Sequence, residues 1–333
     1  MRAKIIWLYI ALVVGNIAAW GWAFWAFDVD AVLIGTALLA YSFGLRHAVD
    51  ADHIAAIDNV TRKLMQQGQR PVGVGFYFSL GHASVVAIAS AAVALTASAL
   101  QTRYAAFRAV GGLIGTSVSV FFLFTVAAAN LIVLTAVYRS FQRVKSGGKL
   151  VDEDFETLLD QRGFMARLFR PLFRLIRKSW HMFPLGFLFG LGFETATEIA
   201  LLGIAAEAAK GQSFAATMVF PALFAAGMTL IDTTDSVLML GAYGWAFVKP
   251  MRKLYYNLVI TFVSVGVAVL IGGIEALGLI ADRLGLDGPF WNAIAMLNGN
   301  FGSLGYLIIA VFVASWLISF AIYRWKGYDA LEL

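Results

Sequence analysis

The sequence predicts an all-α polytopic membrane protein of about eight transmembrane helices, and three observations predict it. Of 333 residues, 60% are hydrophobic and only 14% charged, with a mean hydropathy of +0.79, far too apolar for a water-soluble domain. The apolar residues gather into eight stretches, each reaching the roughly 20 residues needed to cross a hydrocarbon core. With the N-terminus placed inside, 20 of the 25 Lys and Arg fall on inner segments, four (Arg103, Arg108, Lys210 and Arg283) on outer ones, and Arg46 within a span. Positive charge collects on the cytoplasmic side of membrane proteins, so this asymmetry puts both termini in the cytoplasm.

Taken in order, Ile5 to Phe27 is too long for a signal-peptide core and reads as a retained first span. The second runs from about Ala31 to Val60, and a basic loop from Thr61 to Pro71 leads to the third, about Val72 to Leu100. The fourth spans about Val110 to Tyr138 and holds Asn130, suited either to an interhelical hydrogen bond or to the substrate path. Residues 139–181 form one cytoplasmic loop within a single transmembrane domain, 1–333. Its Phe164–Lys178 stretch alternates bulky apolar and basic residues, as an interfacial helix on anionic headgroups would; a docking site for a soluble regulator is the alternative. The last four spans fall at about 182–206, 214–242, 254–281 and 301–323, with Glu275 expected at the interfacial edge of the seventh. Phe43-Gly44-Leu45 and Ala51-Asp52-His53-Ile54-Ala55 are echoed by Phe189-Gly190-Leu191 and Ala196-Thr197-Glu198-Ile199-Ala200. These spans run oppositely, so the echo is either an inverted repeat or the chance similarity of Gly/Ala-rich helices.

The chemistry concentrates in Arg46-His47-Ala48-Val49-Asp50-Ala51-Asp52-His53-Ile54. In a soluble protein this would be a solvated helix face. Here the flanks are apolar, and ionisable groups inside a span are costly and line polar paths. On a straight helix at about 100° per residue, His47, Asp50 and His53 share a stripe with Arg46, while Asp52 points nearly the opposite way. Asp52 must then support the ligands from behind, or the helix must open locally. The absence of Cys excludes disulfides and thiolate ligands, leaving imidazole, carboxylate, hydroxyl, amide and water.

The string His47-Ala48-Val49-Asp50-Ala51-Asp52-His53 resembles the signature of the nickel/cobalt transporter family of bacterial permeases. Three further strings match that family's motifs in the same order: Leu80-Gly81-His82-Ala83-Ser84-Val85-Val86, Leu191-Gly192-Phe193-Glu194-Thr195-Ala196-Thr197-Glu198, and Gly227-Met228 followed by Asp232-Thr233-Thr234-Asp235. The resemblance implies an eight-span permease of the bacterial inner membrane taking up nickel or cobalt as substrate, with no cofactor. Ala83-Ser84, Glu194 and Ser236 depart from the family's usual Ser-Thr, Asp and Gly, and bear on metal preference and affinity.

The four motif strings carry six acids, Asp50, Asp52, Glu194, Glu198, Asp232 and Asp235, against a single Arg46. That surplus calls for a bound cation or for protons. Imidazoles beside carboxylates suit nickel, cobalt or zinc better than copper(I) or calcium. The expected metal residues are His47, Asp50, Asp52, His53 and His82. Arg46, Glu194, Thr195, Glu198, Asp232, Thr233, Asp235 and Asn130 are expected to support them or line the path, with structural pairing the alternative for each acid pair. The expected partners are a divalent metal ion and membrane lipids; neither nucleic acid nor an ATPase subunit is expected, since the net charge of +5 belongs to the inner membrane face and no Walker motif occurs. The rival reading is a membrane-embedded acyltransferase using a His47/Asp52 dyad, as the H-x-x-x-x-D spacing allows.

Overall fold

Long apolar runs with no water to satisfy their backbone must close their hydrogen bonds internally, and the chain does so as helices. The computed structural model describes residues 2–28, 30–96, 101–145, 176–191, 196–246 and 250–325, and no strand occurs among them. The helices are α1 (Arg2–Phe27), α2 (Ala31–His47), α3 (Ala51–Gln66), α4 (Val74–Thr96), α5 (Gln101–Lys145), α6 (Met182–Gly190), α7 (Ala196–Ala208), α8 (Phe214–Thr217), α9 (Val219–Ala246), α10 (Pro250–Leu284), α11 (Pro289–Asn298) and α12 (Phe301–Trp325). Six helical stretches are long and apolar enough to cross a membrane, and α2 with α3, bent by 51°, makes a seventh. The span expected at 182–206 corresponds to α6 and α7, which flank residues 192–195, outside the described set. Most of the expected cytoplasmic loop, residues 146–175, also lies outside it. Large apolar side chains such as Trp7, Trp25, Leu238, Phe262 and Trp325 point outward, as a lipid-facing surface requires.

Two apolar clusters mark opposite ends of the bundle. At one, Phe27 closing α1 stacks on Phe220 near the start of α9, beside Ala37 and Ala216. At the other, Tyr243 of α9, Tyr255 and Tyr256 of α10 and Phe141 of α5 pack together, with Met65 of α3 and Phe320 of α12 against them.

Between those ends the helices approach closely at glycines. A Cβ on Gly44 of α2 would strike the Phe224 carbonyl of α9, and one on Gly227 of α9 would strike the Tyr41 carbonyl of α2. The arrangement recurs between α6 and α4, where Gly186 meets the Phe78 carbonyl and Gly81 meets the Phe183 carbonyl. Tyr41-x-x-Gly44 against Phe224-x-x-Gly227 thus matches Phe183-x-x-Gly186 against Phe78-x-x-Gly81. In the second block of the sequence echo α3 begins at Ala51, and its counterpart Ala196 is the first described residue after 192–195. The first block is one turn out: in packing, the counterpart of Gly44 is Gly186, not Gly190.

Two expectations about boundaries change. Thr61–Leu64, expected in a basic loop, continue α3 and are buried, because Arg62 donates to Thr261 Oγ1 (2.9 Å) and Asn59 Oδ1 (2.8 Å) and Lys63 donates to the Ile176 carbonyl (2.8 Å). The last span is preceded by α11, a short helix opened by Pro289 after Gly288 and stopped at Asn298-Gly299-Asn300.

Candidate metal centre

The second span breaks within its charged motif. α2 stops at His47, the Asp50 N–H donates to the His47 carbonyl (2.9 Å), and Asp50 is extended (φ −66°, ψ 148°) before α3 starts at Ala51. As the residue capping α3, Asp50 would ordinarily accept from the first backbone N–H groups, as Asp30 does for α2 through Val32 and Leu33 (both 2.9 Å). It makes no such cap. Its carboxylate is turned instead to His47, with Oδ2 at 3.0 Å from Nδ1. The local opening brings both halves of the motif to one point, which a straight helix cannot do.

Three imidazoles meet there. The ring centroids of His47, His53 and His82 are 4.7, 4.8 and 4.8 Å apart, a nearly equilateral triangle. One nitrogen of each lies within 4.8 Å of the others, a spacing a single metal ion can draw together. All three residues are buried, with Phe78 packed edge-on against His53 and Phe224 against His47.

Carboxylates set the tautomers. A carboxylate only accepts, so Asp50 fixes the His47 proton on Nδ1, and Asp232, 3.2 Å from His53 Nδ1, does the same there. Each ring then turns the lone pair of Nε2 inward, the carboxylate–histidine arrangement typical of metal ligands. His53 Nε2 is buried and has no hydrogen-bond partner, a costly state for a polar atom that an ion would relieve. Glu198 Oε1 lies 2.9 Å from His82 Nε2 and 3.8 Å from His47 Nε2; by the same rule it holds the His82 proton on Nε2, which an ion binding at that nitrogen must displace.

The other expected residues fall in different places. Asp52 is half-buried and lines a cavity with His47, His82 and Glu198; its Oδ1 has no partner. Asp235 Oδ2 and Thr233 Oγ1 are buried and also unpartnered. Arg46 is exposed, away from the triangle. Asn130 donates to Asn59 Oδ1 (2.6 Å), joining the Arg62 network between helices. Glu194 and Thr195 lie outside the described residues.

Glu275, expected at the interfacial edge of the seventh span, lies elsewhere. It is buried and lines the same cavity, because α10 runs on to Leu284 and carries it about 14 Å inside the helix end. Sequence reasoning missed Asp58; it accepts from Ser264 Oγ (2.7 Å) and from the Tyr243 hydroxyl. Its place inside the expected second span was the available signal.

The acyltransferase dyad does not form. The Nδ1 of His47 is engaged by Asp50, and its Nε2 faces two further imidazoles rather than a surface where an acyl acceptor could dock.

The comparisons agree with this chemistry. The chain is 59% identical over its full length to a high-affinity nickel transport protein of Cupriavidus necator, covering 95% of it. It is 54% identical to the hydrogenase nickel incorporation protein HupN of Bradyrhizobium diazoefficiens, over 95% of this chain and 83% of that one. A cobalt transport protein of Rhodococcus rhodochrous, NhlF, is 43% identical over 85% of this chain and 81% of that one. No solved structure matches. The sequence profile described as high-affinity nickel-transport protein matches residues 33–322, a stretch that holds every side chain of the histidine triangle and its carboxylates, and the chain belongs to that family of transporters, not to an enzyme family.

Proposed function

We propose that the protein imports nickel, cobalt or both across the bacterial inner membrane, acting as a secondary permease with both termini in the cytoplasm. The observation that carries this is the buried triangle of His47, His53 and His82 at a break in a membrane span, two of its rings oriented by carboxylates. A hydrated divalent ion leaves water for these nitrogens, and the nearby acids balance its charge where hydrocarbon cannot. Asp50 and Asp232 hold the rings by their outer nitrogens. Glu198 bridges His47 and His82 and either binds the ion or accepts a proton displaced by it.

The matching glycine contacts support an inverted repeat in which α2–α3 with α9 and α6–α7 with α4 are equivalent hands, running oppositely around the site. Rocking one hand against the other would expose the triangle to each side in turn. The membrane potential drives a divalent ion inward by about 4.6 kcal/mol per 100 mV.

The test is radiolabelled nickel and cobalt uptake by cells producing His53→Ala or Asp50→Asn, alongside equilibrium nickel binding to the purified proteins. Uptake should fall to background with the protein still inserted in the membrane. Wild-type uptake and binding by both variants would remove the site from the transport path.

A further inference from the structure

Two members of the histidine triangle, His47 and His82, line a cavity of about 180 Å³ whose remaining wall has no part in the site described above. Across from His47, Asp52, His82 and Glu198 stand Thr116 and Ser119 of α5, Glu275 of α10 and Asn298 of α11. A space of this size holds several waters, room for an ion that keeps part of its hydration shell.

Its donors differ in kind from the triangle. They are oxygens of carboxylate, amide and hydroxyl, which favour an ion still carrying water, whereas imidazoles favour one that has shed it. Ser119 is buried and its Oγ has no hydrogen-bond partner, and neither has His82 Nδ1 on the facing wall. The backbone contributes too. α2 ends at His47, α6 just after Phe189 and α11 at Asn298, and all three residues line the cavity. A helix C-terminus carries a partial negative charge, so three helix ends beside one space favour a cation there. The lining lies in the first half of α5 and the second half of α10, toward the Phe27–Phe220 end of the bundle. In the orientation proposed above that end is outside.

We propose that this cavity is an access vestibule in which Glu275, with Asn298, Thr116 and Ser119, holds a hydrated divalent cation before the ion passes to the imidazoles. The inference rests on the reading of the triangle as the transport site. Glu275 acts by raising the local ion concentration at the triangle, so its removal weakens capture and spares the later steps.

The experiment measures nickel uptake against nickel concentration in cells producing Glu275→Gln or Glu275→Asp. Loss of one charge contact in a partly aqueous site should raise the half-saturating concentration about five- to tenfold for Glu275→Gln, with the maximal rate within about twofold of wild type. Glu275→Asp should stay within about twofold of wild type on both. Magnesium, which takes oxygen but not imidazole ligands, should compete with nickel in wild type and not in Glu275→Gln. The chain has no Cys, so Ser119→Cys introduces a single thiol whose alkylation in the purified protein should be slowed by nickel. This readout stands even where Glu275→Gln fails to accumulate. An unchanged half-saturation in Glu275→Gln, or alkylation that nickel does not slow, overturns the vestibule while His53→Ala remains inactive. Wild-type uptake by His53→Ala would instead overturn the transport site, and the vestibule with it.

Discussion

Two polar regions lie inside this bundle, and they differ in how far their side chains pair with one another. Around the cavity, Asp52 Oδ1, His53 Nε2, His82 Nδ1 and Ser119 Oγ are buried without hydrogen-bond partners. Toward the Tyr243–Tyr255 end, Asp58 accepts from Tyr243 and Ser264, Asn59 accepts from Arg62 and Asn130, and Arg62 also donates to Thr261, with Arg62 Nε alone of these side-chain groups left without a partner. A buried polar atom left unpaired costs about 1–3 kcal/mol, so a protein tolerates several only where something else will satisfy them. The first region gathers such atoms on imidazole, carboxylate and hydroxyl groups, the donor set of the proposed transport path. The second is a knot tying α3 to α5, α9 and α10, and in the orientation proposed it closes the cytoplasmic side below the triangle.

That contrast breaks most easily at the knot. Asp58→Asn keeps the shape but replaces one accepting oxygen by an amide NH2 that cannot accept from Tyr243 or Ser264, and a buried group left unpaired costs about 1–3 kcal/mol. The variant should lose roughly 3 kcal/mol of stability, seen as a large drop in the apparent melting temperature of the detergent-solubilised protein. A melting temperature equal to wild type would mean the network seals nothing.

The next largest effect compares the two glycine seams. Ala at Gly44 and at Gly81 pushes a Cβ into a neighbouring backbone carbonyl, Phe224 in one case and Phe183 in the other. Overpacking of this kind costs about 1–3 kcal/mol. If the seams are equivalent hands of one repeat, Gly44→Ala and Gly81→Ala should be destabilised alike, to within about 0.5 kcal/mol. Thermal unfolding of the two variants side by side measures this, and a clear inequality would argue that the repeat is one of sequence only.

Much of this was legible before the structure. The apolar stretches give the spans because a backbone in lipid must be helical, and a charged motif inside one of them has to be functional or paired. His47, His53 and His82 followed from that logic. Which acid stands behind which ring did not. Asp232 is 179 residues from His53 and Glu198 is 116 from His82, and sequence spacing is blind to such pairings. The break at Ala48-Val49-Asp50 was also only half visible, since it contains neither Gly nor Pro; it depends on Asp50 choosing His47 over the cap of α3. Glu275 was hidden by a boundary. Drawing the seventh span to end at Ala281 put a buried acid near water, and the real helix runs to Leu284.

The smallest change in stability should come from Asp52, and it separates the two regions most directly. Its Oδ1 has no partner to lose and its side chain lines the cavity. Asp52→Asn keeps a side-chain oxygen to accept from the His53 backbone N–H and should leave stability within about 0.5 kcal/mol of wild type. Nickel binding should nevertheless weaken by about tenfold, the lower end of what removing a supporting carboxylate does to a metal site. Asp58→Asn should show the reverse, a loss of stability with nickel affinity retained in the protein that stays folded. Measuring melting temperature and equilibrium nickel binding on the same two preparations gives both answers. Should Asp52→Asn melt as far below wild type as Asp58→Asn does, Asp52 would belong to the knot, and the division between an ion-ready cavity and a tied seal would be drawn in the wrong place.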